Sequence, residues 1–383
     1  MSGAAAMDDA GTVDGAPTTV DGARVVRGSY APGDVTFLLK PVALAPTAVA
    51  LKERMIQSGR AHYSEMISTE RRPDGRYLAL YGAALDRSAA RIAREIEALA
   101  ERLVRWVEAG TLAPGVTLCS LVRAGVPYGV LLLRALRARG LDAAHYGVSI
   151  IRDRGLDPNA MAVVLRRRPP GGIVFVDGWT GKGAIAGELD RSWRTMTGRA
   201  PRLVVLADPG GHADAAGSHE DWLIPSGLLG GNVSGLVSRS ILRDDLIGPG
   251  DFHGAVSVDH LADIDLSRPF VERVRALAPR VPPPPAPAPS AREREALRRR
   301  ATGAVRAVAN RYGVDDVNRI KPGIAEATRA VLRRRPERVL VSDPDDPDVA
   351  ALCHLCGTDG VELRVAPDLL GPYRAITLIG RTS

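Results

Sequence analysis

The chain has little cysteine, few aromatic side chains and no long apolar run. Only 3 of its 383 residues are cysteine, which excludes a disulfide-rich scaffold and makes the reducing cytoplasm the expected location. No window reaches the roughly 18 consecutive apolar residues of a membrane span, and the start lacks the features of a signal peptide. We therefore expect no membrane partner. Phe, Trp and Tyr make up 4% of the residues, which leaves few rings for stacking on nucleobases.

Composition divides the chain into segments. Residues 1–22 are small and polar, which predicts a disordered tail, because they cannot bury enough apolar surface to offset the entropy of ordering. Residues 281–290 are rich in proline and predict an extended linker. Two separable domains are therefore expected, at 23–280 and 291–383. The whole chain carries 51 Lys and Arg against 44 Asp and Glu, and this excess favours an anionic partner.

Helical and strand patterns alternate in the first of these domains. An apolar stripe at helical spacing predicts a long helix over 83–109. Further helices are predicted at 126–138 and 183–196. Short β-branched runs predict buried strands at 116–122, 145–151, 173–176 and 203–207. This order predicts an α/β fold with a parallel sheet, and chemistry at the carboxyl ends of the strands.

The second domain reads as a smaller α/β unit. Its predicted helices and strands are 291–310, 323–335, 338–342, 347–356, 361–365 and 375–379. Residues 291–340 hold 14 Lys and Arg against 6 Asp and Glu, so positive charge is concentrated here. Cys353 and Cys356 lack a second pair of ligands at zinc spacing, so we assign no metal-binding side chains.

A candidate phosphate loop follows the strand at 173–176. Asp177 ends the strand, and a loop of small residues then opens a helix whose N-terminus favours an anion. The spacing fits neither a Walker loop nor a dinucleotide fingerprint. An ordinary strand-to-helix turn remains the alternative. The loop residues expected to bind substrate are Gly178, Trp179, Thr180, Gly181, Lys182 and Gly183.

This loop is accompanied by other recognisable blocks. They are 120–127 (SLVRAGVP), 145–155 (HYGVSIIRDRG), 225–229 (PSGLL) and 233–239 (VSGLVSR). Together they resemble the phosphoribosyltransferase-like, or StiP-like, proteins of bacterial tellurite-resistance and stress clusters. The resemblance covers about residues 25–280. It implies a type I phosphoribosyltransferase-like sheet flanked by helices.

The resemblance also implies a function. The expected enzyme is a phosphoribosyltransferase that uses phosphoribosyl diphosphate, or runs in reverse, to make or break a ribose-to-base bond in a nucleoside-like metabolite. Asp177, Arg123 and Arg152 are the expected catalytic residues, and Mg²⁺ the expected cofactor. Besides the loop, the residues expected to bind phosphoribosyl diphosphate, another ribosyl phosphate or the nucleobase-like acceptor are Gly125, Arg154, Asp208, Ser226 and Ser234.

Two alternatives stay open. Type I enzymes usually carry two adjacent acids, whereas Gly178 follows Asp177, so a non-catalytic protein that senses a ribosyl phosphate and binds RNA is the first alternative. The StiP-like label is also attached to cysteine protease activity, which is the second. Cys119 lies inside an apolar strand, where a buried inert thiol is expected. A homodimer is the oligomer to be considered.

The second domain carries its own resemblance. The blocks 318–331 (NRIKPGIAEATRAV), 338–343 (RVLVSD) and 361–365 (VELRV) resemble the Pelota-like RNA-binding domain. The resemblance implies that RNA is a partner. It implies backbone contacts near the entry to the helix, and the residues expected to bind RNA are Arg319, Lys321, Gly323 and Arg333.

Overall fold

The computed structural model describes residues 18–381. Most of the predicted disordered tail, residues 1–17, lies outside the described residues. For residues 18–22 the prediction is wrong, because Thr19–Val20 pairs with Ala23–Arg24 in an antiparallel hairpin. Val20 is buried in an apolar cluster, so burial of this side chain stabilises the hairpin.

The helices and strands of residues 18–381 are numbered in chain order. The α-helices are α1 (Val49–Gln57), α2 (Gly75–Glu108), α3 (Val126–Ala138), α4 (Pro158–Arg167), α5 (Ala184–Thr197), α6 (Ser267–Arg275), α7 (Ala291–Tyr312), α8 (Ile324–Arg333), α9 (Ala350–Asp359) and α10 (Pro367–Leu370). The strands are β1 (Thr19–Val20), β2 (Ala23–Arg24), β3 (Thr36–Phe37), β4 (Lys40–Pro41), β5 (Val116–Leu121), β6 (Ala143–Val148), β7 (Ile150–Ile151), β8 (Gly155–Leu156), β9 (Ile173–Val176), β10 (Leu203–Ala207), β11 (Ala215–Ser218), β12 (Gly254–Ala255), β13 (Ile320–Pro322), β14 (Pro336–Val341), β15 (Glu362–Val365) and β16 (Ala375–Ile379). None of the helices in this part of the chain has the length and hydropathy to cross a membrane.

A parallel sheet forms the centre of the N-terminal domain, residues 18–280. Its spatial order is β11-β10-β9-β5-β6-β3, and each neighbouring pair is parallel. Strands β5, β9 and β10 are buried along their whole length, as expected when helices cover both faces of a sheet. The predicted α/β fold with a parallel sheet flanked by helices is confirmed.

Alternation along the strands divides the core into two layers. Leu118 packs in the cluster that contains α2 and α3, whereas its neighbour Cys119 packs in the cluster that contains α4 and α5. Val174 and Phe175 of β9 divide in the same way. Successive side chains of a strand point to opposite faces, so both layers are filled by one short apolar run.

The long helix α2 follows the predicted stripe. Its buried apolar residues include Ile92, Ile96, Leu99 and Leu103. The helix begins earlier than the predicted residue 83, because the side chain of Asp74 caps it by accepting a hydrogen bond from the Tyr77 N–H at 2.8 Å.

The C-terminal domain, residues 291–381, has a mixed sheet of order β13-β16-β14-β15. Strand β16 pairs antiparallel with β13 and β14, and β14 pairs parallel with β15. Helix α7 begins with a capping box between Ser290 and Glu293. The smaller α/β unit expected from the sequence is therefore present.

The proline-rich segment does not act as a free spacer. Within residues 281–290, Ala286 is 1% exposed and its N–H donates to the Ala98 carbonyl of α2 at 2.8 Å. Side chains of α8 and α9, such as Val331 and Leu355, belong to the same apolar cluster as α2. The two domains share one core, so the structure contradicts the expectation that they are separable.

Candidate anion-binding site

A cavity of about 440 Å³ lies between the two domains. The N-terminal domain contributes the carboxyl ends of β5 and β9, where Leu121 and Asp177 line the cavity. The C-terminal domain contributes α8, with Arg329 and Arg333 on the opposite wall. The volume falls in the range of about 300–1,000 Å³ typical of pockets that hold small ligands. We call this cavity the interdomain cleft.

The interdomain cleft is strongly basic. Its lining includes ten Lys and Arg side chains: Lys52, Arg71, Arg123, Arg152, Lys182, Arg239, Lys321, Arg329, Arg333 and Arg334. Four acidic side chains line it as well: Glu70, Asp74, Asp177 and Glu326. The lining therefore carries an excess of positive charge, and a cleft with such an excess and low-dielectric walls attracts anions.

Arg123 is held at the end of β5 by partners of the N-terminal domain. Its guanidinium forms an ion pair with Glu70 and donates to the Val237 carbonyl at 3.0 Å. Burial would raise the pKa of Glu70, but Arg123 and Arg333 hold that pKa at about 2. Glu70 is therefore ionised and neutralises one of the cations in the cleft.

Two cations of the C-terminal domain have no such partner. The side chains of Arg333 and Lys321 make no hydrogen bond or ion pair within residues 18–381. Burial lowers the pKa of Arg333 well below its usual value, and the nearby Arg123 and Arg329 lower it further. Burial also lowers the pKa of Lys321, to about 8. Both side chains face the cleft with donors that an anion would satisfy.

The loop after β9 is organised differently from the predicted phosphate loop. Trp179 extends the sheet through a parallel bridge to Ala207, and the Thr180 N–H donates to the Ala207 carbonyl at 2.9 Å. The Thr180 hydroxyl bonds the Asp208 carboxylate. The predicted anion contact of Thr180 is therefore wrong for this structure, because its two donors already have partners inside the N-terminal domain.

The loop glycines allow close packing. A Cβ on Gly183, whose φ is 84°, would lie 2.2 Å from the ring of His212. Gly181 lies against the C-terminal domain, and its carbonyl accepts a hydrogen bond from the Tyr373 hydroxyl at 3.3 Å. Gly178 packs against the ring of Tyr128. These glycines let the loop approach its neighbours closely.

Gly125 leaves no room for a side chain near the cleft. It caps the start of α3, and a Cβ there would lie 2.0 Å from the Val176 carbonyl oxygen. The absence of a side chain therefore brings the start of α3 directly against the end of β9, beside Asp177. The backbone at the start of α3 thus packs directly against the backbone at the end of β9. This packing positions the two loops that carry Arg123 and Asp177.

Asp177 lines the cleft. Its carboxylate accepts a hydrogen bond from the Gly178 N–H at 2.8 Å. Burial raises its pKa to about 7, and this effect exceeds the opposing influence of the Gly178 N–H and Arg329. The acid expected at the strand end is therefore near its midpoint of ionisation at neutral pH.

The other predicted cations are divided between the cleft and the surface. Lys182 turns to the C-terminal domain, where its ammonium donates to backbone carbonyls, and burial lowers its pKa to about 7. Arg152 lines the cleft with its guanidinium 5.5 Å from the ring centre of Tyr63. Arg154 is half exposed and faces Glu65 at 3.6 Å, outside the cleft lining.

Three predicted substrate contacts have structural partners. Asp208 is fully buried and accepts from the Thr180 hydroxyl and from two backbone N–H groups. The Ser226 hydroxyl bonds the hydroxyl of Tyr128. The Ser234 hydroxyl donates to a backbone carbonyl at 3.0 Å. These three side chains stabilise the N-terminal domain and do not line the interdomain cleft.

Two of the four predicted RNA contacts are placed away from the cleft cations. Arg319 pairs with Glu337 at 3.2 Å and donates to a carbonyl of β16. Gly323, with φ 91°, precedes α8, but the Ile324 N–H donates to the Asp221 carboxylate at 3.1 Å. The N-terminal domain thus occupies the helix N-terminus that was expected to meet phosphate.

Several cleft residues were not predicted. They include Lys52, Glu70, Arg239 and Arg329. Arg239 donates to the Tyr63 carbonyl at 2.6 Å, and burial lowers its pKa to about 10. Arg239 and Arg329 lie inside blocks that carried the family resemblances, which was the available signal. Lys52 and Glu70 lie in segments without a motif.

The cysteines lack the surroundings of a catalytic thiol. Cys119 is fully buried in β5, and burial raises its pKa. Burial raises the pKa of Cys356 to about 12, and Cys353 is partly exposed with a raised pKa. Among residues 18–381, no hydrogen bond joins a cysteine thiol to an imidazole. A nucleophilic cysteine needs a lowered pKa or an adjacent base.

Comparison with known proteins identifies the family. The chain belongs to the family described as tellurite-like stress resistance cysteine protease StiP, whose model matches residues 28–275. A model of the PELOTA RNA binding domain matches residues 299–381. The cysteine protease StiP of Acinetobacter baylyi is 44% identical over 363 residues, which cover 92% of this chain and 94% of that protein.

These comparisons overturn the predicted enzyme class. The family and the relative from Acinetobacter baylyi are both named as cysteine proteases, so the predicted phosphoribosyltransferase is wrong. The associated substrates, phosphoribosyl diphosphate and a nucleobase, lose their support. The resemblance to a tellurite and stress family is confirmed, and so is the match of the second domain to a PELOTA domain.

Solved structures with a similar arrangement cover only part of the chain. The hypoxanthine phosphoribosyltransferase of Trypanosoma cruzi is 14% identical and covers 35% of this chain and 82% of its own, with a TM-score of 0.28. The same enzyme in complex with the product IMP gives 15% identity, coverage of 33% and 70%, and a TM-score of 0.27. Scores this low carry no argument about function.

Proposed function

We propose that this protein binds RNA and that the interdomain cleft holds phosphate groups of the RNA. The observation that carries the proposal is the pair of unpartnered cations, Arg333 and Lys321. Both belong to the domain that matches the PELOTA RNA binding domain. The predicted cofactor Mg²⁺ plays no part in the proposal.

The free-energy cost of burying Arg333 beside other cations supports the binding of an anionic ligand in the cleft. Burial and like-charged neighbours both disfavour a charged guanidinium, and Arg333 is subject to both. Glu70 and Glu326 offset part of this cost, and a bound anion would offset more of it. Strongly perturbed charges of this kind gather at functional sites. Phosphates of RNA provide that charge, and contacts to them are formed mainly by Arg and Lys.

The test is a binding titration with a 12-nucleotide single-stranded RNA phosphorylated at both ends. We expect the double variant Arg333→Gln with Lys321→Gln to weaken binding on the order of 100-fold, because charge-assisted hydrogen bonds contribute about 1.5–3 kcal/mol each. The slope of affinity against salt should fall by about 0.7 for each lost phosphate contact. Fluorescence anisotropy at several salt concentrations measures both.

A matched control removes two charges elsewhere. Arg299 and Arg300 are exposed on α7, so Arg299→Gln with Arg300→Gln changes the net charge equally while leaving the cleft intact. We expect this control to bind within about threefold of the unmodified protein, since isolated surface charges contribute little. Equal weakening by both double variants would show that only net charge matters, and the proposal would then be wrong.

Cysteine-dependent proteolysis is a second candidate, favoured by the description of the family and of the relative from Acinetobacter baylyi. Cys119 is the cysteine within the matched residues 28–275, yet its buried thiol has no adjacent base. We therefore expect iodoacetamide to label Cys353 well before Cys119 in the native protein, as measured by mass spectrometry.

A peptidase assay completes this test. Fluorogenic casein should be cleaved no more slowly by Cys119→Ala than by the unmodified chain. Loss of cleavage in a Cys119→Ala variant of unchanged stability would contradict this expectation. It would make Cys119 the nucleophile and require β5 to open during the reaction.

A further inference from the structure

We infer that the interdomain cleft recognises the end of an RNA strand through a terminal phosphomonoester, and not the phosphodiesters within the strand. The inference rests on the proposed RNA binding and names the part of the RNA that enters the cleft. Three features support it: the size of the cleft, the contacts that enclose it, and its unpaired charge.

The cleft is the size of one small ligand. Its volume of about 440 Å³ is near the lower part of the range for small-molecule pockets. A group the size of one nucleotide fits such a volume, whereas a helical segment does not. RNA that enters this cleft must therefore do so as a single strand.

Bonds between the domains enclose the cleft along the loop after β9. The Trp179 indole N–H donates to Glu326 at 3.3 Å, and Lys182 donates to backbone carbonyls of the C-terminal domain. The Tyr373 hydroxyl donates to the Gly181 carbonyl. A strand that passed through at this edge would have to break these bonds, whereas a strand that ends in the cleft leaves them intact.

A second set of interdomain bonds comes from α1 and the segment before α2. Glu53 of α1 pairs with Arg334, which follows α8. Arg71 pairs with Asp359 at the end of α9, with N–O distances of 2.9 Å. Separate elements thus tie the two walls together, which favours a pocket that accepts a chain end over a channel that a chain crosses.

The charge of the cleft matches a terminal phosphate. Arg123, Arg329 and Arg334 each have a carboxylate partner in the structure, namely Glu70, Glu326 and Glu53. Lys52, Lys182 and Arg239 donate to neutral oxygens. Arg333 and Lys321 make no side-chain hydrogen bond or ion pair within residues 18–381. A phosphodiester carries one negative charge, whereas a phosphomonoester carries about 1.5–2 at pH 7 and has three acceptor oxygens. The five cations without a carboxylate partner carry more than one positive charge, so they match the phosphomonoester better than the phosphodiester.

The test uses one 12-nucleotide sequence with different ends. The strands carry a 5′-phosphate, a 3′-phosphate, or hydroxyls at both ends, and each has its dye at an internal position. We expect one phosphorylated strand to bind at least tenfold more tightly than the strand with two hydroxyls. A nucleoside monophosphate added as competitor distinguishes recognition of a free nucleotide from recognition of a strand end.

Variants assign the preference to the cleft. Arg333→Gln should remove the preference for the phosphorylated end, and Lys321→Gln is the second variant if Arg333→Gln does not fold. Arg299→Gln with Arg300→Gln should retain the preference. If all strands bind equally and the cleft variants weaken all of them, RNA binding stands and recognition of the end is wrong. If no strand binds, both proposals are wrong.

Discussion

Replacing Glu53 with alanine is expected to lower the free energy of unfolding by about 3–5 kcal/mol, the cost of removing one partner from a buried ion pair. Glu53 is fully buried, and both its oxygens accept hydrogen bonds from the Arg334 guanidinium. Without this carboxylate, Arg334 would stand unpaired near Lys52 and Arg239. Because the two domains share a core, urea should still produce one transition, at a lower concentration.

An exposed ion pair provides the control for Glu53→Ala. Arg72 and Asp263 pair with side chains that are 53% and 61% exposed. Asp263→Ala should therefore cost less than about 1 kcal/mol. Equal losses of unfolding free energy in the two variants would show that the buried Glu53–Arg334 pair contributes no more stability than an exposed pair. Two separate transitions would contradict a core shared between the domains.

Much of the fold could be predicted from local patterns. Helix α3 and strands β9, β10 and β16 have the predicted bounds. Such elements can be predicted because the periodic spacing of apolar residues is set by residues that are close together in the sequence. Helix α6 was not predicted, since it is short and carries Pro269 in its first turn. The packing of Ala286 against α2 was also missed. Composition describes a segment alone, whereas this contact depends on a distant helix.

The site was predicted less completely than the fold. The sequence located Arg123, Asp177 and Lys182 at the ends of strands, and the structure places all three in the cleft lining. The sequence could not show that the Asp208 carboxylate accepts a hydrogen bond from the Thr180 hydroxyl. The sequence also could not show that Arg333 lies near Arg123, because their proximity depends on how the two domains pack against each other.

The error in function has a different origin. The motif at the strand end indicates an anion site, whereas only the family resemblance implies the specific reaction. A βα loop followed by a helix occurs in proteins of many functions, so it does not define a reaction by itself. The contacts of Thr180 and Asp208 show how a loop with phosphate-binding composition can instead be held by internal hydrogen bonds.

Asp177→Asn is expected to stabilise the protein at pH 8 on the order of 3 kcal/mol, a value reduced for the partial exposure of the side chain. Burial raises the pKa of Asp177 from 3.8 to about 7 in the folded protein. Well below pH 3.8 the carboxyl is neutral in both states, so the substitution changes little. Between pH 4 and 7 the unfolded state ionises first, and the stability of the unmodified protein falls as pH rises. Above pH 7 the difference is constant.

Urea unfolding at pH 4 and at pH 8 measures this effect. The asparagine keeps an oxygen that can accept the hydrogen bond from the Gly178 N–H, so the variant removes the charge and little else. Asp86→Asn is the control, because the Asp86 side chain is 72% exposed and pairs with Arg273 at 3.3 Å. Its effect should stay below about 1 kcal/mol at both pH values. If Asp177→Asn is equally small at pH 8, Arg329 and its neighbours compensate the ionised carboxylate fully, and the low dielectric inferred for this wall of the cleft is wrong.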